Sequence, residues 1–551
     1  MLPDKVPALH RRAAEWFVQH GQVVDAIRHT QAAGDWPDAA RLLADHSFSL
    51  TMDGQAQTVR ALLRAFPQGV DYPELALIRA GYDLARGLLD EAAAHLAVAE
   101  GCAETAPPER RRRLRVAIAS LQLSLATRRG DLAGVVEHVR FLASPVTGQS
   151  DEDIALGSDL RALALMNLGT VEAFLGLAVA ERHLQEGVVL AREIGRPYLE
   201  VRCLAQLGFA SKTHPFATTQ RRCHEAIALA ERHGWGAEWI IAPALIALAG
   251  TMVWTGDFDE AERWLQRTAR TLRADTGPDV RLLVHIVTGM LQAGRGRHDE
   301  ALQEFSEAEY LGSQLARSHA RASQVTGWML ATQARLGRPG EARTVLATLA
   351  DERASSGEVH NARAVICLAE GDPAGALGAV RDVLDGTAPV IGYVTVVEAQ
   401  LLAALAHREL GDLRAANQAA ERALALAESD RLVLPFVMTG SRELLEALPQ
   451  HQTAHAALLA DLLDVLHGSS PAAEGQPSPL DVEELSPGEL RVLRYLPTNL
   501  SRPEMAGELS VSVNTVSTHI RSIYAKLQVR DRSSAVQRAR ELRLLAAGGV
   551  R

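Results

Sequence analysis

The residues whose types and spacing best suit chemistry lie near the C-terminus, in the run VNTVSTHIRSIYAKL at 513–527. Val513, Val516, Ile520, Ile523 and Leu527 recur at steps of three or four, one apolar stripe of a 3.6-residue helix. The opposite side carries Asn514, Ser517, Thr518 and Arg521, flanked by Thr515 and Ser522, all able to hydrogen-bond. A helix of this width fits the major groove of duplex DNA, where Arg pairs with guanine and Asn with adenine. Lys526, Arg530 and Arg532 stand where phosphates would pass, and such cations supply affinity without choosing sequence. The candidate DNA contacts are Asn514, Thr515, Ser517, Thr518, Arg521, Ser522, Lys526 and Arg530.

Other constellations do not assemble. His451 and His455 share a helix face, but no carboxylate or Cys joins them at metal-ligand spacing, so a solvated face is the simpler reading. Cys223 and His224 are adjacent, which turns their side chains apart on a helix and away from nucleophilic catalysis. No G-x-S-x-G, H-E-x-x-H or Gly-rich dinucleotide loop occurs. The expectation is a non-enzyme with no cofactor and no metal.

The positioning elements can be read around the polar face. Ser486-Pro487-Gly488-Glu489 and Ser501-Arg502-Pro503-Glu504 are two S-x-x-E capping boxes with Pro in the first turn. Ser512 caps a third helix, and a fourth opens at Asp531 or Ser533 with Val536, Ala539 and Leu542 on one face. The third helix should pack on Leu490, Leu493 and Leu496 of the first and on Met505 and Leu509 of the second. Ala506 and Val516 allow a close crossing over a tight Ser510-Val511 turn. Val536, Ala539 and Leu542 would serve either as a contact between two modules or as core within one.

This segment resembles the LuxR-type DNA-binding domain, a four-helix module of transcription regulators. The matching residues are Leu485-Ser486-Pro487-x-Glu489, Val492-Leu493, Glu504-x-Ala506, Thr515-Val516-x-Thr518-His519, Lys526-Leu527 and Ala539-Arg540-Glu541-Leu542. The chain departs from the pattern at Ser517, where the family often has Lys, and at Asn499, where it often has Gly. Asn accepts a left-handed turn, so the second change is mild. The first removes a DNA contact and touches affinity or target choice.

Composition frames the rest. The chain has 551 residues, too many for one core, and is 47% apolar but only 4% aromatic, the profile of Ala/Leu-rich packed helices. Its net charge of −10 is uneven: residues 486–545 carry +5 and residues 1–485 carry −16. A basic end on an acidic body suits a DNA module joined to a sensor or scaffold. Four cysteines without C-x-x-C spacing fit a reducing compartment, and the opening residues lack a signal-peptide core. The uncharged run from 239 to 254 spans 16 residues and contains Pro243, short of the roughly 20 that a membrane helix needs. A cytoplasmic protein is expected.

Between about residues 22 and 440 one phrase returns: Gly, often Asp, then Glu-Ala or Ala-Ala. It appears at Gly34, Gly87, Gly130, Gly256, Gly296, Gly337, Gly371 and Gly411, the last five spaced by 40, 41, 34 and 40 residues. Such a period marks paired-helix solenoids. Gly ends one helix in a left-handed cap, Asp or Pro opens its partner, and Ala lets the two approach. The array resembles tetratricopeptide (TPR) repeats, and stacked pairs offer a groove for a peptide, protein or small effector. Trp235, Trp239, Trp254 and Trp264 either line that groove or, more commonly for clustered tryptophans, fill the core.

The opening, Leu9 to Phe17 with Asp25-Ala26-Ile27-Arg28-His29 and Ala33-Gly34-Asp35-Trp36, is similar to the segment that follows the ATP-binding module in MalT-like large LuxR-type regulators. The G-x-x-x-x-G-K-[ST] loop that ATP binding needs is absent, since none of Lys5, Lys212 and Lys526 follows such glycines. ATP binding is therefore not carried over; either the regulator lacks that module or its start lies upstream.

The expected architecture is all-α: residues 1–30 as opening helices, 31–466 as a TPR-like helical-repeat superhelix, 467–484 as a Pro/Gly/Ser-rich flexible linker, and 485–546 as a four-helix LuxR-type helix-turn-helix domain. The expected function is a DNA-binding transcriptional regulator. Its partners would be double-stranded DNA, a second copy on DNA, an effector or protein in the repeat groove, and RNA polymerase as a candidate. The alternative is a TPR-like interaction scaffold whose DNA-binding module is degenerate, made conceivable by Ser517 and the acidic body.

Overall fold

The computed structural model describes residues 5–67, 72–129, 151–210, 215–272, 278–315, 319–448, 453–467, 485–496, 500–509, 511–527, 529 and 531–541. Gly130, His451, the linker residues 468–484, Asn499, Ser510, Arg530 and Leu542, each singled out above, lie outside them. Among the described residues every regular element is helical. The chain is all-α, built of TPR-like antiparallel helix pairs.

The local cause is the recurring phrase. Gly34, Gly87, Gly256, Gly296, Gly337, Gly371 and Gly411 all adopt φ between 74° and 85°, the left-handed cap expected of them. At Gly256 the requirement is double, because a Cβ would also meet the Val433 side chain at 2.8 Å. The residue after the glycine then starts the partner helix. Asp372 accepts a hydrogen bond from the Gly375 amide at 2.8 Å, and Asp412 from the Ala415 amide at 3.0 Å.

Alanines make the seams. Leu413–Ala427 buries Ala416, Ala419, Ala420 and Ala423 against Tyr393–Glu409, with steps of three and four that keep them on one face. Where even Ala is too large, glycine appears mid-helix. A Cβ on Gly289 would meet the ring of fully buried Phe305 at 2.6 Å.

The chain divides into two compact units, residues 1–248 with 263–285 and 307–322, and residues 249–262 with 286–306 and 323–551. In the first, consecutive helices pair, as in Asp151–Leu175 with Ala180–Glu193 and Pro197–Ala210 with Phe216–Arg232. Their core includes Leu184, Leu199, Cys203, Cys223 and Ile241. Burial pushes the Cys223 thiol up to about 12, so the Cys223-His224 neighbourhood is packing and not a nucleophile. The tryptophans divide: Trp235 and Trp264 pack against this core, whereas Trp239 is 40% exposed.

The second unit contains Trp254, which is buried. Its carbonyl accepts from the Val433 amide at 2.8 Å. The short helix Leu434–Met438 thus lies within the repeat body, with Leu434 and Phe436 fully buried. The same unit holds a buried polar cluster. Trp328 Nε1 and Asn361 Nδ2 both donate to Glu398, while Thr395 and the Ile391 amide donate to Glu358. The C-terminal module belongs to this unit, its first helix packed on Ala456–Leu466 and Ala457 buried in the module's core.

Candidate nucleic-acid interface

Four helices build the module: Pro487–Tyr495, Arg502–Glu508, Val513–Lys526 and Arg532–Glu541. Each start has the polar cap that its sequence promises. Ser486 Oγ accepts from the Glu489 amide at 3.3 Å while Glu489 Oε2 accepts from the Ser486 amide at 2.6 Å. Ser501 and Glu504 form a second capping box, and Ser512 Oγ accepts from the Thr515 amide at 3.1 Å. Asp531 caps the fourth helix through the Ser534 amide at 2.8 Å. These bonds satisfy amides that a helix start otherwise leaves open.

The third helix buries Val516, Ile520, Ile523 and Leu527 against Val492, Leu493, Leu496 and Met505. Val513 departs from the expected stripe: as the first helical residue it sits at the stripe's edge and is 43% exposed. Close crossing needs Gly488, where a Cβ would come within 3.1 Å of the His519 ring. Val536 and Ala539 are core within the single chain.

The polar face divides in a way spacing could not show. Asn514, Thr518 and Arg521 are exposed, and Thr515 and Ser517 are half-buried beside them. Thr518 Oγ1 donates to the Asn514 carbonyl at 2.9 Å, and the Thr515 and Ser512 hydroxyls are 2.8 Å apart. Ser522 turns inward instead and hydrogen-bonds Glu489.

Two cations expected on the phosphate path are also engaged within the fold. Lys526 Nζ is 2.9 Å from Glu489 Oε2, and the two side chains are 18% and 7% exposed. Burial would raise the Glu489 carboxyl, but hydrogen bonds from Ser522, Ser486 and Lys526 outweigh it and hold the group down at about 2. Arg532 donates to the carbonyls of Leu496, Leu500 and Tyr495 at 2.8, 2.8 and 3.0 Å, closing the open end of the first helix. Glu489 was legible in sequence only as a capping residue; its second task, anchoring Lys526 and Ser522, joins positions 37 and 33 residues apart.

A polar helix face held outward on a capped four-helix core is the geometry of a helix-turn-helix reader. Residues 483–539 match the family model for bacterial regulatory proteins, luxR family. The module belongs to that family.

The LuxR-type module is joined to a body with relatives of the same kind. The chain is 24% identical over 594 aligned positions to the HTH-type transcriptional regulator MalT of Serratia proteamaculans, and 24% identical over 582 positions to that of Yersinia pestis. Each alignment covers 98% of this chain and 62% of the relative, so the chain spans less than two thirds of their length. Among solved structures, a Rap protein complexed with competence and sporulation factor aligns at TM-score 0.45 and 13% identity, over 65% of this chain and 99% of that one. No described helix is long and apolar enough to cross a membrane, and the described His, Cys, Asp and Glu side chains form no metal-holding group. His455 is engaged by Glu428 at 2.7 Å.

Proposed function

We propose that the chain is a DNA-binding transcriptional regulator of the MalT-like kind, in which the LuxR-type module enters the major groove and the helical repeats take up an effector or partner. The observation that carries it is the exposed set Asn514, Thr518 and Arg521 on the helix Val513–Lys526, while Val516, Ile520 and Ile523 on its opposite face are tied into the core. Arg and Asn are the residues that read guanine and adenine edges, and an exposed helix face is what lets them do so. Ser517 stands beside them as a weaker, adaptable contact where relatives often place Lys. Arg530, outside the described residues, keeps its proposed role at the phosphates. The tether at 467–484 links body and reader in this scheme.

Two copies on DNA fit the energetics, because one small module buries too little surface for tight specific binding at physiological salt. The relatives are transcriptional regulators, and a regulator needs no catalytic residue in this part of the chain. Selection of bound sequences from a random DNA pool tests the reading. A recovered consensus, bound with an affinity that falls steeply as salt rises, is expected. Failure to enrich any sequence from low to physiological salt would favour the interaction-scaffold alternative.

A further inference from the structure

We propose that a cavity in the first unit binds a small uncharged molecule with an apolar body and a single hydroxyl group. The proposal deepens the effector-binding part of the function above and rests on reading the repeats as the sensing part. It does not depend on the module reading DNA.

The cavity has a volume of about 220 Å³ and lies where helices Trp36–Met52, Ala56–Arg64, Ala76–Arg86, Pro108–Arg129 and Pro197–Ala210 converge. Protein interiors fill to crystal-like density, so a space of this size beside a packed core is an exception that asks for an occupant. It is about half again as large as an engineered cavity that takes up benzene, enough for a body of roughly ten non-hydrogen atoms. Phe48, Val59, Leu63, Ile78, Leu121 and Leu163 supply apolar wall, which sets the body of the ligand.

Its hydroxyls set the head group. Ser47, Thr51, Ser120 and Ser124 line the space, and each directs its proton at a carbonyl of its own helix, at 3.0, 2.7, 2.7 and 3.0 Å. Their oxygens remain as hydrogen-bond acceptors. Tyr198 supplies the complementary group. It lines the cavity, is 3% exposed and makes no hydrogen bond among the described residues, so its phenol keeps a donor to offer. Burial pushes that phenol up to about 12, which keeps the proton in place. A buried hydroxyl without a partner is costly, and an occupant that accepts from it removes the cost. A ligand hydroxyl suits both kinds of group, since it accepts and donates.

Charge is not called for. No carboxylate lines the space, and its two guanidinium groups already have partners within the chain. Arg60 lies 5.5 Å from the Tyr82 ring and Arg202 5.5 Å from the Trp239 ring, and both make further contacts. An ion of either sign would give up its hydration without gaining an unengaged counter-charge. A polyol would turn most of its hydroxyls to walls that answer none.

The test is calorimetric titration of the full chain with 2-phenylethanol and octan-1-ol, set against phenylacetate, protonated 2-phenylethylamine and glucose. At least one alcohol should bind saturably, and the two ions and the sugar about tenfold more weakly or not at all. Tyr198→Phe keeps the ring that packs edge-on against Trp235 and removes only the hydroxyl. It should weaken the alcohol about fivefold, the worth of one neutral hydrogen bond, while changing n-propylbenzene binding by no more than about twofold. Gly81→Leu fills the cavity: a Cβ there meets only Leu121, at an ordinary 3.6 Å, so the chain should fold, and its thermal midpoint and helical signal check that. This variant should lose alcohol and propylbenzene together; if it does not fold, Tyr198→Phe decides alone. Saturable binding of neither alcohol overturns the proposal, as does an ion or glucose bound as tightly, or alcohol binding indifferent to Tyr198→Phe. DNA binding measured on the same preparations separates the two readings, since a chain that binds DNA but neither alcohol refutes this site alone.

Discussion

At the scale of single residues, the same helix carries side chains with opposite duties. Arg521 and Asn514 face solvent, and their removal should leave the fold intact. Arg521→Ala should cost roughly 1–3 kcal/mol on the preferred site and relax base choice at one position, as read by gel shift on a panel of single-base variants. An unchanged affinity and unchanged preference would remove Arg521 from the reading face. Lys526 belongs to the other class, because its ammonium neutralises a carboxylate that is 7% exposed. Lys526→Met leaves Glu489 short of one partner and should destabilise the module by roughly 1–3 kcal/mol. Hydrogen exchange of amides 487–527 in the full chain reports it. The pH dependence follows from the same carboxyl. Its folded value of about 2 lies below the ordinary 4.5, so its stabilisation is complete above about 4.5 and is lost as pH falls towards 2. Protection of the module's amides, taken relative to their intrinsic exchange at each pH, should fall across that acid window, and less so in Glu489→Gln.

At the scale of helices, close approach decides sequence. Gly289 opens a gap that the Phe305 ring fills, and that ring has no exposed surface into which it could retreat. Ala is the better helix former by about 1 kcal/mol at an open position. Here the overpacking should win, and Gly289→Ala should lower stability by roughly 1–3 kcal/mol. Equilibrium denaturation checks the sign, and a stabilised variant would mean the two helices can part without loss. Arg532 shows the same logic between two helices: the Tyr495 and Leu496 carbonyls at one helix end and the Leu500 carbonyl before the next depend on one side chain.

At the scale of the whole molecule, the second unit stores an unfavourable charge. Glu398 is buried, and burial raises its carboxyl to about 7 despite hydrogen bonds from Trp328 and Asn361 and the nearby Arg335. The unfolded group ionises near 4.5, so the folded state holds the proton longer. Stability contributed here is greatest below about 4.5 and declines as pH rises to about 7. Glu398→Gln should therefore be stabilised relative to the parent more at pH 8 than at pH 5. Thermal midpoints at the two pH values measure this, and an equal difference at both would show that Glu398 stays ionised in the fold.

What the chain's letters determined is what local physics determines. Positive φ at Gly34, Gly256 and Gly411, the Ser486 and Ser501 capping boxes, and the stripe from Val516 to Leu527 each depend on residues within a turn or two of one another. A short stretch therefore announces them. Tertiary structure alone decided which cations are outward, because Lys526 meets Glu489 and Arg532 meets Leu496 across 37 and 36 residues. It alone placed Val536 and Ala539 in the core, buried Glu398, and brought Arg60 and Arg202 to one cavity. The physical reason is common to all of these: charge and volume are settled by neighbours in space, and periodicity names a face without saying what it will meet.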